Sequence, residues 1–342
     1  MGREGRNNFV SKRIGASRLN CHGVAACIVA AMIAIDAIWL TPTEHSVPVA
    51  NLSMPFEGAV FLGCLAAGFK GATYVPRYHA ATKALRFLKL ANIVTWMLWL
   101  GLYMLSGSIL SYLCATTNAP LISATLRGFD TALGFDWLGI YLWVQAHPAI
   151  KNVLRIAYDS GTWQLYLVPI AVGLCGRRKD ISDFMLLFML SGAFVMVFSA
   201  VFPAENAFVY FGIIDPGTAS TVSGFKILRD GTLRVFDISR MQGIVSIPSS
   251  HTMLAVFFIY TLRNVRPLFA IALPLNPVLI ASTPPQGGHY LADVVCGLLG
   301  SALAIWMLRY VTARYGSRHA ATAPLVSALP ELTPLSRTTW RK

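Results

Sequence analysis

Two short stretches hold the residues able to do chemistry: Ile247-Pro248-Ser249-Ser250-His251-Thr252 and, further on, Gly287-Gly288-His289-Tyr290-Leu291-Ala292-Asp293. His289 and Asp293 stand four apart, so on a helix they share one face and the carboxylate can accept a hydrogen bond from one imidazole nitrogen. Such a bond fixes the tautomer, raises the basicity of the other nitrogen and leaves it aimed outward as a nucleophile. The same pair could also serve as a buried clasp between helices. In the earlier stretch, Pro248 pre-sets the first turn of a helix, Ser249 or Ser250 caps it, and the unpaired N–H groups make an anion site backed by the helix dipole. His251, in that first turn, can protonate a departing alkoxide. A nucleophile on one side and an acid on the other describe in-line phosphoryl transfer, with Ser249, Ser250 and Gly288 as phosphate contacts. Gly287 and Gly288 let the backbone approach a phosphate closely, or form a turn before a helix.

The elements that must position these residues are membrane helices. With 342 residues, 55% hydrophobic and 13% charged, and a mean hydropathy of +0.58, the chain is too apolar for a soluble domain. Its formal charge of +13 lies in short clusters between apolar runs. Positive-inside topology accounts for that pattern, so no nucleic-acid partner is expected. The six cysteines form no CxxC pair and read as membrane-packing residues. The basic N-terminal region before the first apolar run resembles a leader, but the run lacks a small-x-small cleavage site and is expected to remain as a first span.

Apolar runs long enough to cross occur near 22–40, 52–69, 90–114, 162–176, 182–203, 250–263, 267–283 and 289–309. The expected fold is therefore an all-α polytopic bundle of about eight transmembrane helices. The stretch 130–147, rich in Phe135, Trp137, Tyr141 and Trp143 but broken by Asp130, Asp136 and Gly139, reads as an interfacial or re-entrant helix. Lysines and arginines number five in 1–20, five in 70–89, three in 176–180, two in 263–266 and six from 309 onward. This places both termini in the cytoplasm and the loop 203–247 outside, leading directly into His251 with His289 at the same depth. The organisation expected is a basic N-terminus at 1–20, two added helices over 21–89, a six-helix catalytic core over 90–312 and a flexible cytoplasmic tail over 313–342.

These stretches resemble the type 2 phosphatidic acid phosphatase superfamily of membrane enzymes. The closer likeness is to its inositol-phosphorylceramide-synthase-like branch, whose members carry PSxH and, later, GGHYxxD. The likeness is specific over about 240–300, and the span pattern extends it back to about residue 90. It implies that His289 is the phosphohistidine nucleophile, Asp293 its orienting carboxylate and His251 the acid for the leaving group. It implies no metal requirement, and no cofactor is expected. The implied partners are the membrane and a lipid phosphate or phospholipid substrate, with the site facing the periplasm of a bacterial inner membrane.

The chain also departs from the pattern. The phosphatase element Lys-x6-Arg-Pro has its only Arg-Pro counterpart at Arg266-Pro267, on the cytoplasmic side, and the Ser-Arg expected before the nucleophile is Ser282-Thr283. A cation must still neutralise a transferring phosphoryl group. The external loop offers Arg240 first and Arg234 second. Outside the motifs, Asp36 and Glu57 fall within spans, where they could pair with each other or sit hydrogen-bonded inside the bundle. Tyr158-Asp159-Ser160 could line the site. A proton-coupled transporter using the His-Asp pair would show two similar halves, and the sequence has no such repeat. An intramembrane serine protease is disfavoured, because Ser250 and His251, adjacent on a helix, cannot face each other and the sequence has no Gly-x-Ser-Gly stretch.

Overall fold

The computed structural model describes residues 20–215, 224–241 and 243–327; of Arg240 and of residues 315–327 it describes the backbone. The helices are α1 (Cys21–Leu40), α2 (Val49–Ala72), α3 (His79–Ala84), α4 (Phe87–Ala115), α5 (Ser123–Ala132), α6 (Trp137–Gln145), α7 (Pro148–Leu174), α8 (Arg178–Val201), α9 (Ala207–Phe211), α10 (Phe225–Arg229), α11 (Ser250–Leu262), α12 (Arg266–Gly287) and α13 (Leu291–Ser327). Among the described residues the only β pairing is an isolated bridge between Ser46 and Val235. The protein is an all-α polytopic membrane bundle, as the apolar runs require.

Six of these helices are long and apolar enough to cross a membrane: α1, α2, α4, α8, α12 and the first part of α13. The other two expected crossings differ from the sequence reading. Helix α11 has 13 residues, about 20 Å of rise against the roughly 30 Å of a hydrocarbon core. Helix α7 is longer than the expected 162–176, because Pro148 opens it at a first-turn position where the missing N–H costs nothing. Its extra turns bring Lys151, Arg155, Tyr158 and Asp159 into the helix. The 130–147 stretch is not one helix but two, α5 and α6, separated by a left-handed turn at Gly134. The tail expected to be flexible from 313 is helical to Ser327, consistent with its alanines, the best helix formers.

The chain divides into two compact units. The main body spans Asn20–Ala304, and the described part of the other unit is the last section of α13, from Ile305. Within the main body α4 is the central post: α1, α2, α7 and α8 all pack on it, and it buries Trp96, Leu100, Tyr103 and Leu113. Asp36 is buried on α1 and accepts a hydrogen bond from Ser106 of α4, whereas Glu57 on α2 is exposed, so the two acids do not pair. The described part of the loop after α8 is tied to the bundle. Phe225, Leu228, Phe236 and Ile244 pack on Ile109, Tyr112 and Leu113 of α4, and Arg229 donates to the carbonyls of Thr117 and Ala119.

Helices α11 and α13 meet at their starts. A Cβ on Gly297 would lie 2.8 Å from the carbonyl oxygen of Ser249 and 2.9 Å from Cβ of Thr252, so only glycine permits this approach. Gly297→Ala is expected to destabilise the protein by about 1–3 kcal/mol through overpacking. A lowered thermal midpoint in detergent would report it. Gly300→Ala, whose nearest neighbour is the flexible Met253 side chain at 3.4 Å, should shift the midpoint far less.

Candidate active site

The first motif forms a helix start. Ser249 is the N-cap of α11 and its hydroxyl accepts from the Thr252 amide, which leaves Ser250 and His251 in the first turn. Pro248 therefore precedes the cap instead of occupying the first helical position. Ser249 is fully buried, its N–H donates to the Asp293 carbonyl at 3.1 Å, and Thr252 Oγ1 donates to its hydroxyl at 3.1 Å. Its side chain is engaged in capping α11.

The second motif is the turn between α12 and α13. Prolines 284 and 285 close α12; the missing N–H of Pro284 frees the Ile280 carbonyl, and the Thr283 hydroxyl donates to it at 2.8 Å. The chain then reverses at Gly288, whose φ of +71° suits glycine. A Cβ there would lie 2.6 Å from Phe208, while the Gly288 carbonyl accepts from the Ala207 amide at 2.7 Å. Gly288 is a turn residue held against α9.

This reversal sets His289 against Asp293. Nδ1 of His289 lies 3.3 Å from Oδ2 of Asp293, so the ring's other nitrogen, Nε2, remains for the pocket. The same Oδ2 accepts from the Tyr290 amide at 3.0 Å and from the Ser246 hydroxyl at 2.7 Å. Two further residues fix the backbone. The Trp137 indole donates to the His289 carbonyl at 3.1 Å, and the Asp130 carboxylate accepts from the amides of Leu291 and Ala292, each at 3.3 Å. Asp130 thus caps the start of α13 from a different element, where a negative charge is favoured by the helix dipole. Burial pushes its carboxyl up from the usual range, opposed by those two amides.

His251, His289, Ser250, Ser246, Tyr158 and Asn206 line one pocket of about 260 Å³, with Gly287 in its wall. The two histidine rings face each other at a centroid distance of 6.5 Å, and Tyr158 stacks on His251 at 4.5 Å with an interplanar angle of 20°. A larger chamber of about 440 Å³ adjoins it. The two share Gly243, Ile244, Val245, Ser250 and His251. Its remaining walls are mostly small or apolar side chains of α4, α7 and α8, among them Gly107, Leu165, Phe188 and Met196. Among the described residues no group of three or more histidine, cysteine or carboxylate side chains could hold a metal ion.

The structure brings His251, His289, Asp293 and Ser250 together. It does not bring Arg234, which pairs with Glu44 at an exposed surface; the side chain of Arg240 lies outside the described residues. Asp130 and Trp137 looked in sequence like a helix break and an interfacial aromatic. The signal for Asp130 was an acid in an aromatic-rich stretch, which marks a backbone partner as readily as a break. Ser246 and Asn206 carried no signal, because their roles depend on partners far along the chain.

A family model described as the PAP2 superfamily matches residues 124–307, more than half of the 342 residues. The chain belongs to the PAP2 superfamily. No curated protein and no solved structure matches significantly. The PAP2 match begins inside α5 and takes in Asp130, Trp137 and both histidine motifs, while α1 to α4 lie outside it. PAP2 membership makes this chain an integral membrane enzyme of phosphatase type.

Replacing the remote cap tests this construction. Asp130→Ala should lower stability by roughly 1–2 kcal/mol, and Asp130→Asn, which keeps one acceptor, should recover part of the loss. Thermal unfolding of the two variants in detergent measures the difference.

Proposed function

We propose that the protein is a lipid phosphatase or phosphotransferase acting through a phosphohistidine at His289. The observation that carries the reading is the pair of facing histidines, one of them backed by a buried carboxylate, at the junction of a polar pocket and an apolar chamber. In this mechanism Nε2 of His289 attacks phosphorus and the P–O bond to the lipid alcohol breaks. Asp293 holds Nδ1–H and stabilises the positive charge that develops on the ring. His251 gives its proton to the departing alkoxide, then takes one from the acceptor that attacks the phosphohistidine. The first-turn amides of α11, with Ser250, meet the phosphoryl oxygens. The apolar chamber, which touches His251, receives the lipid part of the leaving group.

Water as acceptor makes the enzyme a phosphatase, and a second lipid hydroxyl makes it a transferase of the inositol-phosphorylceramide-synthase-like kind. The apolar chamber supports the second reading, because a lipid alcohol can enter the space that the first one leaves. The pocket lies at the end of α7 and α12 away from the basic segments 70–89, 176–180 and 263–266. That placement supports a site on the periplasmic face of an inner membrane.

Alanine at His289 or at His251 should cut turnover of a lipid phosphate by about 10²–10⁴-fold without preventing membrane insertion. The two variants should differ on p-nitrophenyl phosphate, whose leaving group needs little protonation: His251→Ala should keep much of its activity there, and His289→Ala should not. Wild-type activity in His289→Ala would sink the mechanism. Incubation with lipid phosphates, with and without acceptor lipids, separates the two reactions, phosphate release marking the phosphatase and a new phospholipid the transferase.

A further inference from the structure

A third cavity, of about 430 Å³, opens at the far end of α7 from the histidine pocket. Helix α7 runs from Tyr158 in the histidine pocket to Leu174 beside this cavity, a rise of about 24 Å. The walls come from the end of α2, from α3, from the start of α4 and from the turn between α7 and α8. They carry Lys83, Arg86, Lys89 and Arg178 and no carboxylate. The acids nearest in sequence are already engaged: Asp180 pairs with Arg177 and Asp183 with Lys179. Lys89 donates to the Leu174 carbonyl at 2.6 Å, closing the floor. Arg86 has a left-handed backbone, φ 56°, and so turns the chain sharply between α3 and α4 within the cavity wall. Phe87 and Leu88 provide an apolar side, and the exposed Tyr74 and Tyr78 stand next to it in the chain, the residue type that collects at the membrane–water boundary.

We propose that this cavity binds a phosphate-bearing anion at headgroup depth, at a site separate from the histidine pocket. Four cations line one concavity whose walls carry no carboxylate, and the adjoining apolar surface suits the first methylenes of an acyl chain. Basic pockets between membrane helices recognise anionic headgroups by these means. The occupant would bridge α2 and α3, which lie outside the PAP2 match, to the helices that build the site.

The test uses the full chain in neutral detergent, titrated with phosphatidylglycerol, phosphatidylcholine or inorganic pyrophosphate. Thermal midpoints and retained lipid by native mass spectrometry are the readouts. Phosphatidylglycerol should raise the midpoint and be retained, and phosphatidylcholine should do neither. Lys83→Gln with Arg178→Gln, both exposed positions, should weaken the phosphatidylglycerol effect roughly tenfold or more. Arg77→Gln, in the same basic segment but outside the cavity wall, should leave it in place. A stabilisation by pyrophosphate that the double variant also loses identifies the phosphate group alone as the ligand; its absence beside a lipid effect identifies the whole lipid. Equal effects of the two lipids, or equal losses in the double variant and in Arg77→Gln, would overturn the proposal. None of these readouts depends on catalysis.

Discussion

A buried carboxylate that ties two distant pieces of chain together is the constraint on which the site depends. Asp293 has no exposed surface, and an ionised group in such a position must be satisfied by donors at hand. One oxygen meets the imidazole of His289, the Tyr290 amide and the Ser246 hydroxyl; its own carbonyl meets the Ser249 amide. The α12–α13 turn, the segment before Pro248 and the cap of α11 are thereby locked to one residue. The orientation of His289 and the position of His251 follow from the same knot.

The sequence announced this knot only in part. The His289–Asp293 spacing and the capping serine before His251 were legible because both are local, three or four residues of helix geometry. Most of the apolar helices were legible for the same reason, since hydropathy over about 20 residues reports directly on what can face lipid. What could not be read was non-local. Ser246 reaches Asp293 across 47 positions and Trp137 reaches His289 across 152, and no periodicity encodes such distances. The misreadings have equally physical causes. Helix α11 is apolar like the longer spans but has only 13 residues, and α7 starts at Pro148 with first turns that carry Lys151, Asn152 and Arg155, so hydropathy alone marks only its later part.

The basic residues show how differently one charge type is used. Arg229 is structural, holding the segment after α8 to the carbonyls of Thr117 and Ala119 just beyond α4. Arg234 is a surface partner of Glu44. Lys83, Arg86, Lys89 and Arg178 crowd one cavity wall. The described walls of the pocket carry no lysine, arginine or carboxylate, and Thr283 stands where an arginine was expected, with its hydroxyl engaged on Ile280. Under the proposed chemistry the first-turn amides of α11 and the Ser250 hydroxyl meet the developing negative charge with fixed dipoles that need no reorganisation.

One wall belongs to two rooms: His251 borders both the polar pocket and the apolar chamber. Under the proposed chemistry the lipid alcohol that departs and any lipid alcohol that arrives must occupy that chamber in succession, never together. Occupancy by the first product therefore excludes the second substrate, and the enzyme form between them is the phosphorylated one with an empty chamber. The shared wall thus imposes a double-displacement order on any transfer, with the released alcohol and the acceptor as direct competitors for a single berth.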